Sequence, residues 1–407
     1  MSKNFLNDMD GKNAVTKREI LRLCILHVCF SISDLSREIN SSVPTVTKII
    51  SELIEEGWMQ DLGKQGTSGG RRPSIFGLDE NAGYFVGVDI ARHHFHIAIT
   101  DFKGNLITFI QDIEFVLEAK AESFKAICNK IRETVADAGV PWEKILAVGV
   151  SLTGRVNPEE GYSMTYIMSD DLPLNTIFER ELKVPVSIEN DSRAMTYAEY
   201  LEGNANEPRQ QNMLAINISW GLGMGMILNG QLFYGQSGFS GEFGHFPLLE
   251  NGKICRCGKI GCLETGASGS ALAENIRQQL AAGKKSLLSK KYNSGEKIDL
   301  SDILHAIEEE DMLAIECLGE IGNTLGRGIA GLINLFNPGL VVIGGRLIVG
   351  NDYLMLPIKT AVNKYSLNRV SRDTTIRFSS LGRKAASIGN CLIARSKLLG
   401  VMAKHMD

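Results

Sequence analysis

The sequence predicts an N-terminal winged helix-turn-helix followed by a two-lobed α/β protein. The first part is indicated by short helical patterns separated by a tight turn, and by adjacent arginines that follow in a glycine-rich segment. The second part is indicated by apolar strand patterns that alternate with helical patterns from residue 85 onward and recur in the second half. Tandem units of this kind are typical of two lobes with a ligand cleft between them.

The chain has the length of two or three domains and the composition of a globular protein. It has 407 residues, of which 44% are hydrophobic and 22% charged, and its formal net charge is -4 at pH 7. Because the net charge is slightly negative, any contact with nucleic acid must be local. The apolar runs are too short to cross a bilayer, and the N-terminus has no apolar signal core. We therefore expect a cytoplasmic protein without membrane contact.

Residues 1–80 contain the predicted DNA-binding domain. Apolar spacing predicts a first helix over 16–29, with Lys17 on one of its outer faces. A short second helix over 33–39 and a third over 44–56 follow, separated by a capping serine and a proline. Short helix, tight turn and helix is the layout of a helix-turn-helix.

The start of the third helix and the wing carry the predicted DNA contacts. In this motif the second of the two helices enters the major groove. Here that is the third helix of the chain, whose N-terminal end presents Ser42, Thr45 and Lys48. Arg71 and Arg72 lie in the wing, where they can contact phosphates or a minor groove. Acidic residues further along the third helix limit the DNA face to its N-terminal half. A three-helix packing domain without DNA contact has the same periodicity and is the alternative.

The remainder of the chain predicts two α/β units in tandem. In the first unit we expect strands over 85–90, 94–101, 106–110, 145–150 and 184–188, and helices over 121–138 and 192–201. In the second we expect strands over 214–218, 224–228, 231–233 and 340–343 around a long helical middle.

Three cysteines crowded into eight positions predict a metal site. Cys255, Cys257 and Cys262, with His245, form a Cys3His set, which is typical of closed structural zinc sites. With four protein ligands, no position is left for an activated water, so the zinc is expected to be structural. A redox pair is the alternative, but the spacing is C-x-C rather than C-x-x-C.

These motifs resemble those of the ROK family of transcriptional repressors and sugar kinases, over nearly the whole chain. The resemblance is carried by five motifs, which are Gly69-Gly70-Arg71-Arg72-Pro73, Glu189-Asn190-Asp191, Gly241-Glu242-Phe243-Gly244-His245, the cysteine block with Glu264, and Asn337-Pro338 with Gly344-Gly345. It implies that the α/β part has the actin-like (ribonuclease H-like) fold of sugar kinases. The lobes would then span 81–194 and 195–383, with a C-terminal helix within 384–407 packing back onto the first lobe.

The resemblance also implies a set of sugar contacts. These are carboxylate, amide and imidazole groups of Asn190, Asp191, Glu242, His245 and Glu264. In the kinases of the family, the aspartate that matches Asp191 is the general base that takes a proton from the attacking hydroxyl. Zinc would hold the segments that carry Glu242, His245 and Glu264 in place.

Both loops that hold nucleotide phosphates in the family's kinases are altered here. The first loop, Asp-x-Gly-Gly-Thr in the kinases, reads Asp89-Ile-Ala91-Arg92-His93, and the second, Gly-Thr-Gly-x-Gly, reads Ser219-Trp220-Gly221-Leu222-Gly223. Phosphoryl transfer depends on positioning the phosphates, so we expect no effective ATP site and no catalytic residues.

The sequence therefore predicts a sugar-responsive DNA-binding transcriptional regulator, a repressor of carbohydrate uptake or catabolism genes, whose kinase-like part is a sensor. Its expected partners are near-palindromic operator DNA, a sugar or sugar derivative, and copies of itself in a homodimer or homotetramer. The alternative is an ATP-dependent hexose kinase with a fused DNA-binding domain. A sensor controlled by a regulatory protein is a third reading.

Overall fold

The computed structural model describes residues 12–27, 29–64, 73–116, 121–164, 172–203 and 210–402. The chain divides into two compact units, one formed by Met1–Asp191 with Ala386–Asp407 and the other by Ser192–Ala385. Within the described ranges, no helix combines the length and the apolar character that a bilayer crossing requires.

In the N-terminal part of the first unit, the described residues form three helices and a small antiparallel sheet. Its elements are α1 (Lys12–His27), β1 (Cys29–Ser31), α2 (Ile32–Glu38), α3 (Val43–Glu55), β2 (Met59–Lys64) and β3 (Ser74–Leu78). The strand order is β1-β3-β2. The Oγ atom of Ser42 accepts a hydrogen bond from the Thr45 N–H at 3.3 Å, which caps α3 as the sequence indicates. This is the layout of a winged helix-turn-helix.

The core of this region follows the predicted apolar face of α3, with one difference on α1. Val46, Ile49 and Leu53 are buried. Lys17, predicted on an outer face, is buried as well, with its Nζ atom 3.1 Å from a carboxylate oxygen of Glu52 and 2.6 Å from one of Glu56. Glu52 of α3 and Glu56, which follows the end of α3, therefore form ion pairs with Lys17 of α1.

The rest of the first unit is an α/β lobe around a five-stranded sheet. Its elements are β4 (Tyr84–Ile90), β5 (His94–Asp101), β6 (Leu106–Glu114), α4 (Ala121–Asp137), β7 (Ile145–Leu152), β8 (Val156–Asn157), β9 (Tyr162–Ser163), α5 (Leu174–Leu182) and β10 (Val186–Asn190). The order is β10-β7-β4-β5-β6, in which β4, β5 and β6 are antiparallel and β7 and β10 are parallel to β4.

The C-terminal helix packs closely on this sheet. A side chain at Gly87 would collide with the backbone oxygen of Ser387, and one at Gly149 with that of Asn390. The Asn390 side chain donates hydrogen bonds to the Val88 carbonyl and the Ser151 hydroxyl, both at 2.8 Å. Glycine is required at both strand positions because the helix backbone approaches the sheet directly.

The second unit repeats the sheet topology of the first. Its elements are α6 (Asp191–Leu201), which begins in the first unit, β11 (Met213–Ile218), β12 (Leu222–Leu228), β13 (Gln231–Leu232), α7 (Gly269–Ala281), α8 (Ser289–Asn293), α9 (Leu300–Glu308), α10 (Met312–Phe336), β14 (Leu340–Gly344), α11 (Asp352–Tyr365), α12 (Asn368–Ser371), β15 (Thr375–Phe378) and α13 (Ala385–Leu398), which ends in the first unit. The order β13-β12-β11-β14-β15 again joins an antiparallel meander to two parallel strands. The predicted fold class is confirmed.

Candidate metal centre and ligand site

The predicted metal ligands come together in the second unit. One ligand atom from each of His245, Cys255, Cys257 and Cys262 lies within 4.8 Å of all the others. The Sγ atom of Cys255 is 3.6 Å from His245 Nδ1, and the Sγ atoms of Cys257 and Cys262 are 3.6 Å apart. Zinc–sulfur bonds of about 2.3 Å in a tetrahedron put two sulfurs roughly 3.8 Å apart. The donor set and its spacing therefore fit a tetrahedral metal ion.

The backbone around the cysteines forms a small hairpin that gathers the thiols. The Cys255 N–H donates to the Lys259 carbonyl at 2.7 Å, and the Gly258 N–H donates to the Cys255 carbonyl at 2.9 Å. Gly258 and Gly261 both have positive φ, at 84° and 78°. Glycines adopt this conformation without strain, so their spacing in the sequence is a signal of the hairpin.

The thiols differ in their proton affinity. Burial raises the pKa of Cys262 to about 12, and burial also raises the pKa of Cys255. The pKa of Cys257 is lowered, chiefly because its sulfur accepts a hydrogen bond from the Lys259 backbone. Cys255 and Cys262 are thus neutral thiols at pH 7 unless a cation replaces their protons, which is what a bound metal ion does.

His245 joins the metal cluster to Glu242. Its Nδ1 atom faces Cys255, while its Nε2 atom is 3.7 Å from a carboxylate oxygen of Glu242, three residues earlier. This distance is too long for a hydrogen bond, so the carboxylate lies beside the nitrogen that faces away from Cys255 without fixing the ring. The side chains of Glu242 and His245 are 40% and 34% exposed, so both can reach a ligand.

Glu264 is attached to the segment that replaces the second phosphate loop. Its Oε2 atom accepts a hydrogen bond from the Leu222 N–H at 2.9 Å, and a side chain at Gly221 would lie 2.8 Å from the same oxygen. Its Oε1 atom is 3.9 Å from the Cys255 sulfur. Sequence reasoning did not anticipate the bond to Leu222, since it joins residues 42 positions apart.

Several other groups of this segment are also hydrogen-bonded. The Ser219 N–H donates to the Gly221 carbonyl at 3.1 Å, and the carbonyls of Ser219 and Trp220 accept from the first residues of α7. The Ser219 hydroxyl accepts from the Arg346 N–H at 3.0 Å. Trp220 is 37% exposed. The segment is therefore held by bonds inside the protein.

Asn190 and Asp191 lie in the first unit, where β10 ends and α6 begins. The Asn190 Nδ2 atom donates to Asp191 Oδ1 and to the Gly154 carbonyl, both at 2.9 Å. Asp89, at the carboxyl end of β4, accepts a hydrogen bond from the Ser151 hydroxyl at 2.8 Å. Burial and then the charge of Asp191 raise the pKa of Asp89 to about 7. Polar groups thus meet at the carboxyl ends of three neighbouring strands, where α/β sheets bind ligands.

The segment that replaces the first phosphate loop is a tight turn. The Ala91 N–H donates to the His94 carbonyl at 2.9 Å, which closes the hairpin between β4 and β5. Arg92 and His93 are exposed at its tip.

The predicted DNA-binding residues of α3 lie at its exposed start. The Ser42 and Thr45 hydroxyls are 2.8 Å apart, and Lys48 is 73% exposed. Arg71 and Arg72 lie outside the described residues.

Fold and site together define a protein with an N-terminal winged helix-turn-helix, two lobes of the sugar-kinase type and a Cys3His cluster. The ROK family pattern matches residues 85–397, so the chain belongs to the ROK family.

Three known proteins illustrate this membership. The xylose repressor of Caldicellulosiruptor bescii is 27% identical over 393 residues, which cover 95% of this chain and 96% of that protein. The crystal structure of a ROK family transcriptional regulator, described as a homologue of the E. coli MLC protein, is 27% identical and matches with a TM-score of 0.78 over 96% of this chain and 98% of its own. A ROK family glucokinase from Streptomyces griseus, solved with glucose and AMPPNP, is 27% identical, with a TM-score of 0.66 over 77% of this chain and 100% of its own.

Proposed function

We propose that this protein is a sugar-responsive DNA-binding transcriptional regulator that represses genes of carbohydrate uptake or catabolism. Two of its similar proteins, matched over nearly the whole chain, are described as a xylose repressor and a ROK family transcriptional regulator. The observation that carries the proposal is the Glu264–Leu222 bond. Glu264, a proposed sugar contact, accepts this bond from the segment 219–223, which matches the second phosphate loop of the family's kinases.

The proposed DNA contacts are Ser42, Thr45 and Lys48 on α3 and Arg71 and Arg72 in the wing. A homodimer or homotetramer would present these helices in pairs, so the operator should be a near-palindrome. The expected cytoplasmic location is part of this proposal, because a regulator of this kind must reach the chromosome.

The proposed sugar contacts are Asn190, Asp191, Glu242, His245 and Glu264, supported by a structural zinc ion. The Cys3His set would hold zinc, and the ion would fix the short turn that carries Glu242 and His245. With four protein ligands the ion supplies rigidity rather than an activated water.

The glucokinase similarity keeps a hexose kinase as the second candidate. Against it, the Leu222 N–H and the Ser219 N–H are bonded within the protein, and the negative charge of Glu264 lies where polyphosphate would approach. Phosphoryl transfer depends on stabilising the phosphate charge, so a carboxylate bonded to this segment disfavours it. If the protein binds specific DNA and no sugar alters that binding, the test below favours control by a regulatory protein partner.

The test combines a sugar screen with DNA selection. Thermal unfolding of the full chain is measured in the presence of pentoses, hexoses, amino sugars and their phosphates. The DNA sites that the chain binds are selected from a pool of random duplexes. We expect a near-palindromic site, and a sugar that raises the Tm and also changes DNA affinity. Glu264→Gln should lower the affinity for that sugar roughly tenfold or more, because a hydrogen bond to a charged acceptor is lost. The affinity for DNA in the absence of sugar should not change.

Glu250→Gln is the matched control, since Glu250 is an exposed carboxylate of the same unit. Failure to select any DNA site would contradict the proposal. ATP-dependent phosphorylation of a hexose that Asp191→Asn abolishes would favour the kinase instead.

A further inference from the structure

Two histidines of β5 and one aspartate of β6 converge in the first unit, apart from the Cys3His cluster. One ligand atom from each of His94, His96 and Asp112 lies within 4.8 Å of the other two. The two imidazole rings have centroids 5.0 Å apart. Neither the resemblance to the ROK family nor the proposed sugar contacts involve these residues.

The strand geometry explains the convergence. His94 and His96 are two positions apart on β5, so their side chains lie on the same face of the sheet. Phe95 pairs with Ile113 and Ile97 with Ile110, so His96 is opposite two residues of β6 rather than one. This is a β-bulge, and Asp112 has a φ of 54° within it. The bulge re-aims the aspartate toward the two histidines.

The bulge also orients the inner histidine. The Nδ1 atom of His96 accepts a hydrogen bond from the Asp112 N–H at 3.0 Å, and His96 is only 6% exposed. His94 is half-buried and Asp112 is exposed, so one side of the cluster is open to solvent. An ion could therefore enter from the Asp112 side.

We propose that His94, His96 and Asp112 form a second site for a divalent transition metal ion. Two imidazoles and one carboxylate are the donors that Zn2+, Ni2+ and Cu2+ accept, and three protein ligands leave room for water or another ligand. The turn that replaces the first phosphate loop ends at His94, so a bound ion would restrain it.

The site is expected to be weaker than the Cys3His cluster. With Nδ1 accepting from the Asp112 amide, a neutral His96 ring carries its proton on Nε2. Metal binding at His96 must break that bond or remove that proton, and either event costs free energy. The Cys3His cluster also loses protons when it binds a metal ion, but it offers four ligands rather than three, and three of these become thiolates.

The experiment uses Co2+ as the probe on the metal-free full-length protein. The wild type should bind two equivalents, of which only one shows the thiolate-to-cobalt charge-transfer absorption of cysteine ligation. His94→Asn and Asp112→Asn should each lose the second equivalent and keep the thiolate absorption. Asn tolerates the positive φ at position 112, so the bulge should persist. Cys257→Ala should show the opposite loss.

His305→Gln is the matched control, because His305 is an exposed histidine outside the cluster. It should bind two equivalents like the wild type. A single equivalent in the wild type, or a second equivalent kept at unchanged affinity by either His94→Asn or Asp112→Asn, would overturn the site. Since only metal is measured, these outcomes do not depend on the proposed regulatory function.

Discussion

At the scale of single residues, the candidate sites depend on side chains that separate segments of the chain bring together. The Cys3His set could be predicted because thiolate and imidazole spacing is itself the signal. The bond from Leu222 to Glu264 and the proximity of Asp89 to Asp191 could not, since each depends on how distant segments are brought together. The bond between Leu222 and Glu264 puts a carboxylate against the segment that matches the second phosphate loop of the family's kinases.

Asp89 should make the stability of the first unit depend on pH. Its pKa is about 7 in the folded chain and ordinarily 3.8, so between these values the folded state holds a proton that the unfolded state does not. Stability therefore falls as the pH rises through this window, and the penalty is full above pH 7. Asp89→Asn removes the ionisation, while its side-chain oxygen can still accept from Ser151.

Melting of wild type and Asp89→Asn between about pH 5 and pH 8 measures this effect. The difference in Tm between the variant and the wild type should increase by about 3 °C from the low to the high end of this pH range. The increase is moderate because Asp89 is only half-buried. Asp191→Asn should reduce the dependence, because the Asp191 charge contributes to the raised pKa. A difference that stays constant with pH would show that Asp89 ionises normally.

At the scale of elements, the strands predicted for the two lobes are present with bounds close to those expected, whereas α5 (Leu174–Leu182) and β15 (Thr375–Phe378) were not predicted. The strands predicted over 94–101 and 340–343 are β5 (His94–Asp101) and β14 (Leu340–Gly344). The two-residue strands β8 and β9 were not predicted, because they are too short to show a period. The bulge at Asp112 was missed for a different reason, since its cause is the register between two strands.

Ser42 has two roles that substitution can separate. Its hydroxyl caps α3, and it is also a proposed DNA contact. Ser42→Ala should cost about 1 kcal/mol of stability through loss of the cap. Ser42→Asp should keep the cap and most of the stability, but should weaken DNA binding because a carboxylate faces the phosphates.

Melting and DNA affinity are compared for the two variants. Glu38→Asp is the control for the effect of a nearby surface substitution, since Glu38 is an exposed acidic residue at the end of α2. If Ser42→Asp binds selected DNA as tightly as the wild type, the start of α3 does not face DNA.

At the scale of the whole molecule, the winged helix and the first lobe belong to one compact unit. The Trp58 ring packs on Phe102 with centroids 5.3 Å apart, and Phe102 packs on Phe85 at 6.0 Å. The buried Arg395 of α13 donates to the Phe102 carbonyl at 3.1 Å. Phe85 lies near the start of β4, and Asp89 lies near its end. Strand β4 thus connects the aromatic contact with the winged helix, at Phe85, to the polar groups around Asp89.

This contact is the expected route by which sugar binding alters DNA affinity. A ligand changes an affinity elsewhere only through its different affinity for two conformations. The contact between Trp58 and Phe102 joins the winged helix to the first lobe, so it is a place where two such conformations can differ. Trp58→Ala removes the ring that packs on Phe102, so it should bring the ratio of operator affinities with and without sugar close to one. Trp58→Phe keeps an aromatic ring and should retain most of the ratio.

Three measurements separate this loss of coupling from simple unfolding. Sugar affinity and sugar-free operator affinity should stay near the wild-type values in Trp58→Ala at a temperature well below its Tm, while the sugar-dependent ratio falls. A ratio equal to that of the wild type would place the coupling elsewhere in the chain. Loss of all DNA binding in Trp58→Ala alone would show instead that the ring is needed to fold the winged helix, since Trp58 is only 6% exposed.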